Sequence, residues 1–493
     1  MEKQGVNSFE LMERAGSAFV NNFVLRSALK ENASIFVFCG RGNNGGDGLV
    51  IARLLHELSF GEIFVCIVPL PMNTTSGFNQ NFARLPHILK RTSVIVDNLE
   101  MIPDFASGDI IIDAIFGTGF RAGLEGFIPE LFIKLNESEA TIWSVDIPSG
   151  LDADKSTNGR SIVADNTITF ELPKLSFFLN ENSARIGNLE IVSIGLCKAF
   201  YAETSSDFHF TTQVDAKHLL KRRLADSSKS TYGHALIIAG AYGKVGAAVL
   251  STRSSLRAGA GLVTAFVPSC AYKIMQISAP EAMVITDENS RTITRLPSME
   301  KFSAVGMGPG IGTSVETHEV LKAIIMENGN LPVVIDADAL NLLSQDKGLL
   351  GKLPAKTILT PHVGEFERLF GKCNDSFERL TLQRKKSIEH QIVIVLKGSN
   401  TSISTSDGSV YFNVNGNPGM ATGGSGDVLT GILTALLAQQ YSTTEAAILG
   451  TYLHGHSGDI CSRKTGEEAL IAGDIIKNLG KAFQSLYDSE YNA

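Results

Sequence analysis

Short runs of β-branched and aromatic residues alternate along this chain with longer stretches of helical apolar spacing, and this alternation restricts the possible folds more than any other feature. Residues 34–39, 63–68, 109–112, 141–145, 166–170 and 191–195 read as strands. Strands separated by helices build a mainly parallel sheet with helices on its faces. From 200 to 230 the sequence turns polar and charged and strand periodicity lapses; it restarts at 235–240, 262–267, 333–336, 392–396 and 409–413. No fixed-period repeat or low-complexity tract relates the two series, so the chain reads as two different α/β domains joined in one polypeptide.

Composition narrows the partners. The 493 residues are 44% apolar and 19% charged with a formal charge of −8, ample for large cores and without the basic block that tracks a nucleic-acid backbone. The six cysteines are scattered and form no C-x-x-C pair, which argues against a disulfide framework or a zinc site. The opening Met-Glu-Lys-Gln-Gly leads into an amphipathic stretch rather than a secretory signal, and no run of about 18 apolar residues occurs. The reading is a cytoplasmic protein that engages neither nucleic acid nor membrane.

The first strand runs directly into Gly40-Arg41-Gly42-Asn43-Asn44-Gly45-Gly46-Asp47-Gly48, with a helix expected from Leu49. Strand, glycine loop and helix N-terminus together make a phosphate cradle. Gly40, Gly42 and Gly45 satisfy G-x-G-x-x-G only nominally, because the second strand ends Val68-Pro69-Leu70 without the ribose-binding acid of a plain dinucleotide-binding domain. A carboxylate at Asp47 would repel a pyrophosphate, so the paired asparagines and Asp47 read as groups with a chemical task of their own. Two more oxygen-rich turns follow strands, Asp113-Ala114-Ile115-Phe116-Gly117-Thr118-Gly119 and Val145-Asp146-Ile147-Pro148-Ser149-Gly150-Leu151-Asp152. Strand C-termini gather at one edge of a parallel sheet, where Asn44, Asp113 and Ser149 can converge as hard oxygen ligands for a cation and Asp146 can face a substrate as acid or base. Taken singly, such residues more often cap helices or turn corners. Three in register favour a site.

In the second half, Asn417-Pro418-Gly419-Met420-Ala421-Thr422-Gly423-Gly424-Ser425-Gly426-Asp427 precedes an apolar helix. Glycines let backbone N–H groups face an anion at a helix N-terminus, and Asp427 in the first turn is placed to take a proton from an attacking hydroxyl. An isolated first-turn Asp is more often a dipole-stabilising acid; the glycine context makes that role alone insufficient. Lys397-Gly398-Ser399-Asn400-Thr401 ends a strand with a cation and hydroxyls suited to a nucleotide, although a strand-end lysine is usually just solvated. His362, in Thr360-Pro361-His362-Val363-Gly364-Glu365, opens a helix and either touches substrate or is polar surface. Further glycine turns at 239–247 and 306–312 point to a long, phosphate-rich ligand, and Asp336 and Asp338 either bind magnesium or polar substrate groups or cap the next helix.

The segment Leu11-Met12-Glu13-Arg14-Ala15-Gly16, the Asn-Asn-Gly-Gly-Asp loop and the turns at 113–119 and 145–151 together resemble the NAD(P)H-hydrate epimerase domain over residues 1–205, with the leading part of the family's first helix shortened. That resemblance implies a Rossmann-like α/β/α fold and a potassium ion held by Asn44, Asp113 and Ser149. It implies substrate contacts from Asn43, Asn44, Gly45, Gly46 and Asp47, from Gly117, Thr118, Gly119, Phe120, Arg121, Ala122 and Gly123, and from Asp146, the expected proton-transfer group. Residues 212–493 resemble the NAD(P)H-hydrate dehydratase domain, with a ribokinase-like α/β/α fold; the departure is at 228–233, where Ser228 and Ser230 replace a His and a Gly. Here the implied substrate contacts are Ala247, Gly310, Gly312, His362 and Asp427, and the implied nucleotide contacts are Lys397, Gly398, Ser399, Asn400, Thr401 and Gly426.

The implied activity is repair of hydrated NADH and NADPH. An isomerase interconverts the R and S hydrates, and a lyase dehydrates the S form using ADP with magnesium, releasing AMP and phosphate. The resemblance also implies a homotetramer. Two rivals stand beside this reading: a ribokinase-like metabolite kinase that releases a stable phosphate ester, and a binding protein with inactive sites.

Overall fold

The computed structural model describes residues 5–27, 33–70, 73–119, 126–327 and 330–487. The chain divides into two compact units, the first drawn from Met1–Ser205 and the second from Ser206–Asn374 and Glu378–Ala493.

Among its described residues the first unit is built on seven parallel strands: β1 Ser34–Cys39, β2 Glu62–Ile67, β3 Val94–Ile95, β4 Ile110–Ala114, β5 Thr141–Val145, β6 Asn166–Phe170 and β7 Asn188–Val192, in the order β3-β2-β1-β4-β5-β6-β7. Helices cover both faces, so the central strands are apolar on both sides. Ile35, Val37 and Cys39 of β1 enter one core with Phe19, Phe23 and Trp143, while Phe36 and Phe38 enter the other with Ile111 and Ile142. The strand order reverses between β1 and β4, which opens a crevice beyond their C-terminal ends, the usual ligand position in such sheets.

Helix Asn43–Glu57 starts six residues before the expected Leu49, so most of the glycine segment is helical. Packing overrides glycine's poor helix propensity here. A Cβ on Gly45 would lie 1.8 Å from the Gly40 carbonyl oxygen, and one on Gly48 would lie 2.7 Å from Ala114 Cβ and 2.8 Å from Cys39 Sγ. The glycines thus let this helix settle directly on β1 and β4. Asp113 likewise lies within β4 rather than in a turn, and β7 begins three residues before the expected 191.

Among its described residues the second unit has ten strands: β8 Phe208–Phe210, β9 His234–Ile238, β10 Leu262–Val267, β11 Met283–Thr286, β12 Ala304–Met307, β13 Val333–Ile335, β14 Thr357–Leu359, β15 Val393–Leu396, β16 Thr401–Ser404 and β17 Val410–Asn413. Their order is β11-β10-β9-β12-β13-β14-β15-β16-β17-β8. From β11 to β15 the pairing is parallel; β16 runs antiparallel to both neighbours, and β8 pairs parallel with β17. A strand at Phe208–Phe210 is unexpected, since the sequence there shows no strand period, yet three residues complete the edge of the sheet. The order reverses between β9 and β12, again opening a crevice, and Gly240 N donates to the Pro309 carbonyl across it at 2.8 Å.

Helix Ser425–Ala438 is buried almost throughout and packs on helix Val245–Arg257. A Cβ on Gly431 would fall 2.0 Å from Ser254 Oγ and 2.1 Å from the Ser251 carbonyl oxygen, so the two helix backbones approach as closely as glycine permits. This contact fixes the N-terminus of Ser425–Ala438 at the crevice. Among the described residues, no helix is long and apolar enough to cross a membrane.

Candidate functional site

In the first unit the helix Asn43–Glu57 begins after Gly42, which offers no side-chain cap, so its first N–H groups face the crevice. Asn44 Nδ2 donates to the Phe116 carbonyl at 2.8 Å, and Ser149 Oγ accepts from Phe116 N at 2.8 Å. Asp113 is fully buried and accepts from Ser149 Oγ at 2.5 Å, Ser149 N at 2.8 Å, Ser144 Oγ at 2.9 Å and Ile115 N at 3.3 Å. Three segments far apart in sequence therefore meet around the Phe116 backbone. Burial raises the Asp113 pKa, against the pull of those hydrogen bonds. Among the described residues no Lys or Arg pairs with it, which leaves a buried acid in an oxygen-rich nest.

Asp146 follows β5 with φ +67°, a left-handed conformation that aspartate tolerates better than most residues and that turns its side chain back toward β6. Its Oδ1 accepts from Lys174 Nζ at 2.5 Å, Phe170 N at 3.0 Å and Thr169 Oγ1 at 3.2 Å. Lys174 also donates to Thr169 Oγ1 at 2.9 Å. Sequence reasoning missed Lys174, because a lysine shortly after a strand looks like solvated surface. Asp47 has its pKa raised well above the ordinary carboxylate range, first by burial and then by the charge of Asp146. A cavity of about 430 Å³ adjoins these groups, lined by Thr118, Phe170, Leu172, Lys174, Leu196 and Phe200 among others. Gly117, Thr118 and Gly119 follow Phe116 directly, whereas Phe120, Arg121, Ala122 and Gly123 lie outside the described residues.

In the second unit Gly424 takes φ +91° and precedes helix Ser425–Ala438 without a side-chain cap; Ser425 N donates to the Thr422 carbonyl at 3.3 Å, and the N–H groups of Gly426 and Asp427 face an anion position. Asp427 stands in the first turn, and its carboxylate has no hydrogen-bond partner among the described residues. Burial, reinforced by the Asp336 carboxylate, pushes its pKa up to about 6. Ser251 Oγ donates to the Ala247 carbonyl at 3.0 Å or the Asp427 carbonyl at 2.9 Å, tying Ala247 to that turn. A Cβ on Gly310, itself at φ +62°, would lie 3.0 Å from Ala247 Cβ. Gly312 N donates to Asp338 Oδ2 at 2.9 Å, and Lys244 pairs with the same oxygen at 3.1 Å.

Lys397 is not merely solvated. Its Nζ pairs with the buried Asp336 at 2.7 Å and lies 4.0 Å from Glu365, and a Cβ on Gly426 would be 3.3 Å from it. Asp336 also accepts from Thr430 Oγ1 at 2.6 Å, and its side chain makes no capping hydrogen bond to the helix it precedes. His362 caps a helix: Nδ1 accepts from Gly364 N at 3.0 Å and Glu365 N at 3.3 Å, leaving Nε2 3.5 Å from Glu365 Oε1. The segment Gly398–Thr401 turns between β15 and β16, with Thr401 Oγ1 donating to the Gly398 carbonyl at 3.1 Å. Ala247, Gly310, Lys397, Gly426 and Asp427 are thus linked through close contacts into one cluster, extended by Gly312 through Lys244 and Asp338. Its anion-facing helix end, unpartnered acid and paired lysine suit phosphoryl transfer.

Comparison with known proteins separates the two crevices by family. Residues 235–481 match the family model described as NAD(P)H-hydrate dehydratase, and residues 8–176 match that of the YjeF-related protein N-terminus. The bifunctional NAD(P)H-hydrate repair enzyme Nnr of Moorella thermoacetica is 35% identical, over 98% of this chain and 93% of its own length. Its counterpart from Escherichia coli is 34% identical, over 96% of this chain and 89% of its own. A solved ribokinase-like superfamily protein from Enterococcus faecalis is 27% identical with a TM-score of 0.51, covering 57% of this chain and 98% of that one. Both halves, in one order and over nearly their whole lengths, have their counterparts in the same relatives, and the chain belongs to the family of bifunctional NAD(P)H-hydrate repair enzymes.

Proposed function

We propose that the chain repairs hydrated NADH and NADPH, the first unit interconverting the R and S hydrates and the second dehydrating the S form. The observation that carries this reading is the fusion itself: one chain holds both family domains, with an oxygen-rich crevice in the first and an anion-facing helix end bearing a partnerless Asp427 in the second. In the dehydratase, Asp427 takes the proton of the ring hydroxyl as that oxygen bonds to the terminal phosphorus of ADP, and the bond from phosphorus to the AMP oxygen breaks. The N–H groups of Gly424 and Gly426 at this helix end and the Lys397 ammonium receive the charge that develops on the phosphoryl oxygens. Loss of phosphate together with a ring proton then restores the dihydronicotinamide. Asp336 and Glu365, flanking Lys397, offer hard oxygens for a magnesium ion carried by the nucleotide, which would offset phosphate charge.

In the epimerase, Asp146, oriented by Lys174, is the proton-transfer group at the hydrated carbon, and Asn43 to Asp47 with Gly117 to Gly119 line the substrate. Asn44, Asp113 and Ser149 fit a potassium ion: Asn44 Nδ2 and Ser149 Oγ hold the two sides of the Phe116 backbone, Ser149 Oγ donates to Asp113, and the buried Asp113 has no cationic side chain beside it among the described residues. A cation there would fix the substrate's polar groups electrostatically. Asp113→Asn is expected to raise the potassium concentration for half-maximal epimerisation at least about tenfold, as loss of a ligand-level interaction does. Epimerase rates titrated with potassium chloride against a choline background check this; an unchanged half-saturation removes the cation from the reading. A homotetrameric assembly in the cytoplasm belongs to the same reading and rests on the family resemblance; sedimentation velocity checks the assembly.

The test is direct. Purified R hydrate without nucleotide should yield the S hydrate, and S hydrate with ADP should regain reduced-nicotinamide absorbance. A phosphorylated product that persists would instead make the second unit a metabolite kinase.

A further inference from the structure

The loop leading into the anion-facing helix end has a dedicated support. Residues 415–420 run along helix Thr443–Thr465, which carries glycines where they pass: a Cβ on Gly455 would lie 2.3 Å from the Asn415 carbonyl oxygen, and one on Gly458 would lie 2.2 Å from Met420 Sδ. Beside Gly458, Asp459 accepts from Gly416 N and from Asn417 Nδ2, each at 3.0 Å. On the same helix His454 places Nε2 3.0 Å from the Ser425 carbonyl oxygen and 3.3 Å from Ser425 Oγ. A carbonyl oxygen only accepts, so Nε2 carries the ring proton and donates to the first residue of the helix that bears Asp427. Burial pulls the His454 pKa down to about 4, which keeps the ring a neutral donor at neutral pH. The His-Gly-His-Ser-Gly-Asp run at 454–459 therefore grips both ends of the segment from Gly416 to Ser425, a segment with four glycines of its own and little internal stiffness.

We infer that helix Thr443–Thr465 is the brace of the phosphoryl-receiving loop, and that His454 and Asp459 are positioning residues of the dehydration. They hold the N–H groups of Gly424 and Gly426 and the carboxylate of Asp427 in register through Ser425 and Asn417. The inference rests on the reading that this loop receives the transferring phosphoryl group. It requires that loosening either grip slow the chemical step more than it weakens nucleotide binding, because a misplaced anion hole loses transition-state contacts first.

The full-length chain is assayed for S-hydrate dehydration as wild type, His454→Leu, His454→Gln and Asp459→Asn, with kcat and the KM for ADP measured separately. Glutamine can carry an N–H donor near the Nε2 position, so it serves as the rescuing substitution. We expect kcat to fall about 30- to 100-fold in His454→Leu and about tenfold in Asp459→Asn, with KM for ADP within about threefold and His454→Gln within about threefold of wild type. The inference is overturned if kcat in His454→Leu stays within about twofold of wild type, or if the Gln variant falls as far as Leu while both remain folded. Should the Leu variant not fold, Asp459→Asn decides: an unchanged kcat overturns the brace, and a lowered kcat at constant KM upholds it. A wild-type chain that fails to dehydrate the hydrate is a different result, counting against the functional reading itself.

Discussion

Replacing Asp427 with Asn is expected to lower S-hydrate dehydration by about 10³-fold, within the range that loss of a positioned general base produces, while epimerisation continues at the wild-type rate. Asparagine keeps the shape of the side chain and cannot take the hydroxyl proton. The same substitution should make the second unit more stable at pH 7. Burial and the neighbouring Asp336 carboxylate hold the Asp427 pKa at about 6, above its ordinary value, so the folded state favours the protonated acid. Stability from this group is present at low pH and declines as pH rises toward and through about 6; at pH 7 the charged form is a cost that Asn removes. Discounted for partial exposure, the gain is on the order of 1 kcal/mol, or about 2–4 °C in melting temperature. Loss of activity with a gain in stability is the signature of a group held against its own preference. In the wild type, kcat/KM for dehydration should fall with a single-proton slope below about pH 6, the value to which the acid is raised. An acid limb near the ordinary carboxylate range would remove Asp427 from the base role.

The second large effect is expected at Asp146. Asp146→Asn should reduce epimerisation about 10²- to 10³-fold and leave dehydration of pre-formed S hydrate untouched. It also strands a lysine, since the side chains of Lys174 and Asp146 are only 13% and 16% exposed and joined at 2.5 Å. An unpaired, largely buried ammonium should cost the first unit about 2 kcal/mol, between the values for exposed and fully buried pairs. Lys174→Met added to Asp146→Asn should recover most of that stability and none of the activity. Calorimetry and epimer-resolved chromatography on the two single variants and the double variant form a mutant cycle that separates the pairing role of Asp146 from its chemical role. Recovery of epimerisation in the double variant would show that Asp146 only restrains Lys174.

Long apolar runs such as 34–39 and 262–267 announced their strands because both faces are buried beyond the first residue and every residue after it is therefore apolar or β-branched. The two residues of β3, the three of β8 and the Thr-Ser-Ile-Ser of β16 carry no such period, and only pairing with a neighbour makes them strands. The start of helix Asn43–Glu57 was hidden for the opposite reason: local propensity argued for a loop, and contacts with Gly40, Ala114 and Cys39 decided for a helix. At the candidate sites, positions fixed by local sequence were legible. Asp427 after its glycines is one, and the oxygens of 113–119 and 145–152 at strand ends are others. Roles that arise from pairing across the sequence were not: Lys174 with Asp146, Lys397 with Asp336, His454 with Ser425 and Asp459 with Asn417 join positions 28, 61, 29 and 42 residues apart. No spacing rule reaches that far, because tertiary packing of strands and helices, and not the helix period, brings those groups together.

Central to this account is that two chemistries on one chain return a damaged coenzyme completely, with phosphorylation serving elimination. Its most direct test uses a mixture of R and S hydrates of NADH, ADP, magnesium and potassium, and follows reduced-nicotinamide absorbance together with orthophosphate and AMP. Absorbance is expected to recover to the full amount of hydrate supplied, with one orthophosphate and one AMP released per NADH regained. Recovery that stops at the S fraction, or nucleotide consumed without orthophosphate, would contradict it.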